Sequence, residues 1–282
     1  MRLLVTGSRG QLGRALERAA ERHGHDLVGV DLPELDITDR GAVLDLVARV
    51  RPEALVNCAA FTAVDAAETE EAAAFAVNAV GVGHLAEAAN TVGATLVQVS
   101  TDYVFDGESA RAYREDDPTN PLGAYGRTKL AGEREAAKAH RRLIARTAWL
   151  FGEGNNFVEA VRRQLAAGKR ELRVVDDQAG CPTYAADLAV ALLGLLERSA
   201  AGCVHAVNAG ATTWFGFARE IVAQLGADAA VVPISTAEMP RPAPRPRSAI
   251  LDTTRLIALL GSPLPPWQDA LGRYLSGRPA RG

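Results

Sequence analysis

The sequence predicts an α/β fold: a doubly wound parallel sheet followed by a smaller α/β region. Three observations carry that expectation. Short aliphatic runs alternate with longer stretches of helical spacing through the first 150 residues, and such alternation implies parallel pairing because each crossover uses a helix. The runs are apolar throughout, which suits a sheet covered on both faces. The first run ends in VTGSRGQLG, a glycine-rich turn that opens directly into helical spacing.

Strands are expected at residues 2–5, 26–30, 54–58, 95–99 and 143–148, and helices at 11–23, 40–50, 65–92 and 125–140. Between the first strand and first helix, Gly7, Gly10 and Gly13 are spaced GxxGxxG. The early glycines let the backbone turn tightly and approach a pyrophosphate. The last lets helix and strand pack closely, and the helix N-terminus offers free N–H groups to phosphates. Asp31 ends the second strand, close to the ~20-residue offset expected of an acid that binds a dinucleotide's ribose. Asp31 accepting both ribose hydroxyls would favour NADH. Arg9 meeting a 2′-phosphate would favour NADPH, and the sequence leaves both open.

The helix at 65–92 carries the acidic run 68–71, read as a solvated helix start where acids suit the dipole. The strand at 95–99 closes in STDYVFDG, a polar cluster at the end of an apolar run. The next helix places Tyr125 and Lys129 four residues apart, on one face. Strand ends of a parallel sheet face the ligand crevice, which brings the Thr101 hydroxyl near the same point as Tyr125. A phenol has a reference pKa near ~10, and a neighbouring ammonium and a cationic nicotinamide ring would favour the phenolate and lower it. Tyr125 could then give a proton to a carbonyl oxygen as hydride arrives at carbon, or take one in reverse. The plainer alternative is a surface lysine beside a half-buried tyrosine.

After residue 150 the rhythm loosens. Pro240, Pro242, Pro244 and Pro246 gather in a segment that can be neither helix nor inner strand, either a linker or a loop folded over something. The reading is a nucleotide-binding domain at 1–150 and a mainly substrate-binding domain at 151–282, with some segments returning to the first.

The chain has 282 residues, 48% hydrophobic, enough for a substantial core. Net charge is −3 with both signs interspersed, so nucleic acid is not an expected partner. Cys58, Cys181 and Cys203 are scattered and in no CxxC pattern, as in a reduced, cytoplasmic protein without disulfides or a zinc site. The apolar run before Gly7 is too short for a signal peptide. No stretch approaches ~18 strongly apolar residues, so no membrane span is expected.

Together the glycine turn, STDYVF and YGRTK resemble the extended short-chain dehydrogenase/reductases, and more closely the dTDP-4-dehydrorhamnose reductase family. GSRGQLG, ELDITD, NCAAFTAVDAAE, STDYVFDG, YGRTKLAGE, RTAWLFGEGNNFV, DDQAGCPTYAADLA and TTW are similar to that family in order, from residue 1 to about residue 251. The resemblance implies a Rossmann-type sheet with a smaller C-terminal α/β substrate-binding domain. It implies Thr101, Tyr125 and Lys129 as a catalytic triad, with Lys129 also holding the nicotinamide ribose. Gly10, Gln11 and Leu12 would meet the pyrophosphate beside Gly7 and Arg9, and Asp31 the adenosine ribose. Asp36 and Ile37 would lie near the adenine, and Ala60, Phe61, Thr62 and Val99 would line the cofactor channel. Phe61 stands where Tyr or His is common. Thr101, Asp102, Tyr103 and Trp149 would touch the sugar nucleotide, although Trp149 also reads as a core aromatic ending a strand.

Gln178 and Thr183 could hydrogen-bond the substrate; the alternative is an ordinary turn before a proline-started helix. Arg245 and Arg247 could clamp a diphosphate, since a guanidinium fork suits phosphate oxygens; a solvated basic loop is the alternative. Sugar-nucleotide 4,6-dehydratases resemble TDE where this chain has Tyr103, and a phenol is a poor substitute for that carboxylate. The implied reaction is therefore NADPH- or NADH-dependent reduction of the C4 ketone of dTDP-4-dehydro-6-deoxy-L-mannose to dTDP-L-rhamnose. Mg²⁺ is used by some members, with no ligands placed here, and a homodimer is an allowed arrangement. The rivals are another dTDP-deoxysugar 4-ketoreductase, a non-catalytic regulatory subunit related to the methionine adenosyltransferase β-subunit, and a redox-sensing NADP-binding regulator. The intact triad argues against the subunit.

Overall fold

The computed structural model describes residues 1–277. Strand β1 (Arg2–Thr6) turns through Gly7 into α1 (Gln11–Arg22), followed by β2 (Asp26–Val30), α2 (Arg40–Val50) and β3 (Ala54–Asn57). Then come α3 (Glu71–Phe75), α4 (Gly81–Val92), β4 (Thr95–Thr101), α5 (Ala124–Ala136) and β5 (Arg142–Thr147). Shorter elements follow: β6 (Leu150–Phe151), α6 (Phe157–Ala166), β7 (Glu171–Val175), β8 (Ala179–Gly180), β9 (Thr183–Tyr184) and α7 (Ala185–Glu197). The chain ends with β10 (Gly202–His205), β11 (Thr212–Thr213), α8 (Trp214–Gln224), β12 (Ala230–Ile234), α9 (Thr254–Leu260) and α10 (Trp267–Ser276).

Six strands form one parallel sheet in the order β2-β1-β3-β4-β5-β10. The strand order reverses between β1 and β3, and ligands of such sheets bind in the crevice outside the strand ends at that point. Side chains alternate between faces along each strand. Leu3 and Val5 pack with Leu12, Leu16, Leu188 and Leu192 on the α1/α7 face. Leu4 packs with Val43, Val47, Leu85 and Ala89 on the α2/α4 face. Covering both faces is what makes these strands read as continuous apolar runs.

Beyond the sheet, β7 pairs with β12, β8 with β11 and β6 with β9. An aromatic core of Phe151, Phe217, Trp267 and Tyr274 joins α6, α8 and α10. The proline-rich segment folds back as a strap. Ala243 N–H reaches the Asp65 carboxylate at 3.3 Å, Ser248 N–H the Gly107 carbonyl at 3.3 Å, and Ala249 N–H the Ala179 carbonyl at 3.0 Å.

Several expected elements differ in detail. The single helix at 65–92 is instead a short turn at Ala66–Glu68, α3, a widened π turn at Ala76–Val80, and α4. The cause is Asn78, which lies in the π turn with its buried amide committed elsewhere. Its Oδ1 accepts from Phe61 N–H (2.9 Å), and its Nδ2 donates to the Phe61 carbonyl (3.1 Å) and Thr128 Oγ1 (3.1 Å). Such π turns often mark functional sites. Strand β4 runs on to Thr101, because Ser100 and Thr101 stay in register with Arg146 and Thr147 of β5. Helix α5 ends at Ala136, short of His140.

By length and composition, the 22-residue stretch Glu71–Val92 could cross a membrane, with mean hydropathy 1.3 over an 18-residue window. In this fold its Val82, Leu85, Ala86 and Ala89 are buried against the sheet, so its apolar character belongs to the core.

Candidate functional site

At the switch point, Gly7 adopts φ +67°, a left-handed conformation that costs glycine nothing. A Cβ there would lie 2.5 Å from the Ala59 nitrogen, so only glycine lets the turn after β1 approach the loop after β3. Helix α1 begins behind Gly10, and no side chain caps it. Its first N–H groups are thus left for an anion. Asp31 Oδ2 accepts from Arg9 N–H (2.9 Å) and Oδ1 from Leu32 N–H (2.8 Å). Each oxygen keeps acceptor capacity for a ribose hydroxyl. The Arg9 guanidinium bonds the Leu32 carbonyl (2.8 Å) and pairs with Glu34. That pair is half-exposed and weak enough to yield to a phosphate.

The crevice is a cavity of about 920 Å³. Gly7, Gly10, Gln11, Leu12, Asp31, Asp36 and Ile37 line it, as do Ala60, Phe61, Thr62 and Val99. Thr101, Asp102, Tyr103, Tyr125, Lys129 and Trp149 also face it. Its volume and glycine cradle fit an extended dinucleotide together with a second ligand.

Strand β4 delivers Thr101, whose Oγ1 accepts from Tyr103 N–H (3.2 Å) and donates to Asp102 Oδ1 (2.9 Å). The Thr101 side chain and the Tyr125 phenol face the same cavity. One turn along α5, Lys129 Nζ donates to the Val99 carbonyl at 2.7 Å. Lys129 is only 3% exposed, and burial pulls its ammonium down to about 8 against the opposing charge of Glu133. Burial also pushes the Tyr125 phenol up, reinforced by Asp102 and opposed by the neighbouring Thr101 hydroxyl. The expectation that Lys129 sets a lowered tyrosine pKa is thus corrected: desolvation disfavours the phenolate and dominates. For a proton donor this is the useful direction. Asp102 is 2% exposed, and burial raises its carboxyl to about 7.

Trp149 stacks on Trp214 with ring centroids 3.6 Å apart, and Phe157 leans on Trp214 at 4.6 Å. All three line the cavity. The indole of Trp149 has room only because position 180 is glycine; a Cβ there would sit 2.5 Å from Trp149 Cε2.

Four other expected contacts lie elsewhere. Gln178 Nε2 donates to Thr236 Oγ1 (2.9 Å), and the fully buried Thr183 hydroxyl donates to the Cys181 carbonyl (3.1 Å). Both are outside the cavity walls, the Gln178 amide held by the segment after β12 and the Thr183 hydroxyl by the turn that precedes α7. Arg245 pairs with Asp65 (2.9 Å) beside the Tyr103 ring, 5.9 Å from its centroid. Arg247 acts on Asp177. The two guanidinium groups therefore form no joint clamp here. Among the described residues no group of three or more His, Cys, Asp or Glu could hold a metal ion, so Mg²⁺ has no ligand set in this chain's described part.

Sequence reasoning missed Asn78, Phe157 and Trp214. Trp214 lies in TTW, a motif noted without a role, and Asn78 sits in an alanine-rich stretch that reads as plain helix.

The family model described as the RmlD substrate binding domain matches residues 1–278. A dTDP-4-dehydrorhamnose reductase from Streptomyces griseus is 48% identical, covering 100% of this chain and 97% of its own. A protein from Streptomyces antibioticus named as a probable dTDP-4,6-dihydroxy-2-methyloxan-3-one 4-ketoreductase is 42% identical, covering 96% of this chain and 93% of its own. The crystal structure of the Bacillus anthracis dTDP-4-dehydrorhamnose reductase in complex with NADP superposes with TM-score 0.94 at 38% identity, covering 98% of this chain and 99% of that one. The full-length matches and the dinucleotide cradle agree, and the chain belongs to the dTDP-4-dehydrorhamnose reductase family.

Proposed function

We propose that this protein reduces the C4 ketone of dTDP-4-dehydro-6-deoxy-L-mannose to dTDP-L-rhamnose with NADPH. The observation that carries the reading is Tyr125, a protonated phenol on the wall of the dinucleotide cavity, which Thr101 also lines, and one turn from Lys129. The nicotinamide cofactor supplies the hydride when bound. Tyr125 donates its proton to the carbonyl oxygen as negative charge develops there, and Thr101 presents its side chain to the same cavity. Lys129, anchored on Val99, holds a positive charge beside the cavity. General acid catalysis of this kind is worth roughly 10²–10⁴-fold, and positioning in the closed crevice contributes much of the rest.

NADPH is preferred over NADH because Arg9 sits beside Asp31 at the ribose end, held by the Leu32 carbonyl and a half-exposed pair with Glu34, and because the Bacillus anthracis relative binds NADP. The thymidine diphosphate sugar enters toward Trp149 and Trp214, in the region built largely from residues 151–277. Asp102, Tyr103 and Trp149 face it from the cavity wall. Free thiols at Cys58, Cys181 and Cys203 suit a cytoplasmic enzyme.

The Streptomyces antibioticus relative favours a second reading, in which the same machinery reduces a different dTDP-deoxysugar. The test is to supply dTDP-4-dehydro-6-deoxy-L-mannose with NADPH or NADH and to identify the sugar formed. Oxidation of NADPH with dTDP-L-rhamnose as product supports the first reading. Turnover only with another 4-ketosugar moves the assignment to the second, and faster oxidation of NADH overturns the cofactor preference.

A further inference from the structure

We propose that Glu133 is a positioning residue of the site: held between Ser100 of β4 and Arg146 of β5, it fixes the height at which α5 presents Tyr125 and Lys129 to the cavity, and it places a counter-charge one turn behind the Lys129 ammonium. This role rests on Tyr125 being the proton donor with Lys129 beside it.

Glu133 is off the cavity wall, whereas Ser100, Tyr125 and Lys129 are on it. Glu133 stands four residues after Lys129, which stands four after Tyr125, so each is the next one's neighbour along α5. Lys129 Nζ donates to the Val99 carbonyl at 2.7 Å, and the Ser100 hydroxyl donates to Glu133 Oε1 at 2.5 Å. Two consecutive residues of β4 thus hold two successive turns of α5, and the next residue of that strand is Thr101. From β5, Arg146 donates to both carboxylate oxygens, Nε to Oε1 at 2.9 Å and Nη2 to Oε2 at 2.8 Å. Arg146 is the register partner of Ser100. Its Nη1 donates to the Glu115 carbonyl at 3.2 Å, and its guanidinium carbon lies 5.1 Å from the Phe105 ring centroid. Ser100, Glu133 and Arg146 are all buried.

Stability alone does not account for this arrangement. An apolar pair of similar volume often holds a fold as well as a buried ion pair does, or better. What an apolar pair lacks is direction. Three hydrogen bonds to one carboxylate, from two strands, leave Glu133 a single place on the sheet, and α5 moves with it. A misplacement of about 1 Å at a reacting group can cost ~10²-fold in rate.

The charge has its own consequence. Among the described residues, the titratable groups that act on Lys129 are Glu133 from its own helix and Cys58 from the end of β3. Burial pushes the Cys58 thiol up to about 12, which leaves it neutral. Strand β4 meets Lys129 with the uncharged Val99 carbonyl. Glu133 is therefore the anion that helps the buried lysine keep its proton, against the burial that pulls it down to about 8. Turnover that needs the ammonium falls as pH rises through about 8, and removing the Glu133 charge moves that fall to lower pH.

The experiment is kcat and KM against pH, with NADPH and dTDP-4-dehydro-6-deoxy-L-mannose, for wild type, Ser100→Ala, Glu133→Asp and Glu133→Gln. Each rate is divided by the folded fraction from circular dichroism, and Tyr125→Phe and Lys129→Met are run alongside. Ser100→Ala keeps both charges and loses the tie to β4. Glu133→Asp keeps the charge and is one methylene shorter. Both should lose kcat by roughly 10–10²-fold, with KM for the sugar nucleotide little changed and the fall near pH 8 retained. Glu133→Gln keeps the length and loses the charge, so its fall should move to lower pH. A folded Ser100→Ala with wild-type kcat, a raised KM alone, or an unmoved fall in Glu133→Gln would each overturn the positioning role. Wild-type turnover in Tyr125→Phe or Lys129→Met would instead remove the parent reading. Where Glu133→Gln fails to fold, Ser100→Ala, which leaves the ion pair intact, decides the matter.

Discussion

Lys129 Nζ donates to the Val99 carbonyl across 2.7 Å, tying helix α5 to strand β4 at the point where both meet the cavity. The ammonium is buried, and its pKa is lowered from 10.5 to about 8, chiefly by desolvation. The unfolded chain therefore binds more protons than the folded one between about pH 8 and 10.5. Stability contributed by this site rises with pH across that window, by on the order of 3 kcal/mol in total. Urea unfolding of wild type and Lys129→Met at pH 7.5 and pH 10 checks it. Wild type should gain on the variant at the higher pH; a constant gap would show that Lys129 carries no such shift.

Tyr125 offers the sharpest test of the chemistry. Tyr125→Phe keeps the ring and its edge contact with Tyr103, whose centroid lies 5.5 Å away, and removes only the hydroxyl. Turnover should fall roughly 10²–10⁴-fold, while NADPH affinity measured by fluorescence stays close to wild type. Comparable losses in both would mean that the hydroxyl supports the fold of the cradle and donates no proton.

Glu133 and Arg146 form a bidentate ion pair at 2.9 and 2.8 Å, both nearly inaccessible, and the Ser100 hydroxyl donates to the same carboxylate at 2.5 Å. Glu133→Gln leaves a buried guanidinium without its counter-charge, which typically costs 3–5 kcal/mol. Thermal unfolding should shift down by roughly 10 °C. Glu133 also raises the Lys129 pKa, so the Lys129 ammonium should lose its proton at lower pH in the variant. A variant that melts like wild type would show that the pair adds nothing net.

What the sequence revealed of this molecule was local. Gly7, Gly10 and Asp31 were readable because a turn and a strand end fix their spacing, and Tyr125 and Lys129 because a helix does. The parallel sheet followed from the alternation of apolar runs and helices. Asn78, Glu68 and Gly180 act on partners far along the chain, at Phe61, Ala124 and Trp149, and no spacing rule reaches that far. Asn78 even widens a helix that alanine content alone would make regular. Gln178 and Thr183 carry donors and acceptors of the right kind, but the distant Thr236 takes the Gln178 amide and the local turn takes the Thr183 hydroxyl.

Gly180 shapes the sugar end of the cavity. Gly180→Ala places a Cβ against the Trp149 indole, which is itself held by the Trp214 stack. Overpacking of this kind costs about 1–3 kcal/mol, and part of it is relieved by tilting the indole. KM for the sugar nucleotide should rise about tenfold, with NADPH affinity unchanged. An unaltered KM would remove Trp149 from the substrate surface.

Glu68 belongs to the acidic run expected to be a solvated helix start, yet its carboxylate accepts from Ala124 N–H at 2.8 Å. The N-cap residue of α5 is Gly123, which has no side chain to do this. Glu68 therefore caps, from a distant part of the chain, the helix whose second residue is Tyr125. A lost cap costs about 0.5–2 kcal/mol, and a negative charge at a helix N-terminus adds favourably to the dipole. Glu68→Ala should lower the melting temperature by a few degrees and reduce kcat more than it raises KM for NADPH, because the first turn of α5 carries the phenol but not the cradle. Glu68→Gln retains an acceptor oxygen and should recover most of kcat. If the alanine variant loses stability but keeps full kcat, the cap serves the fold alone and Tyr125 is positioned without it.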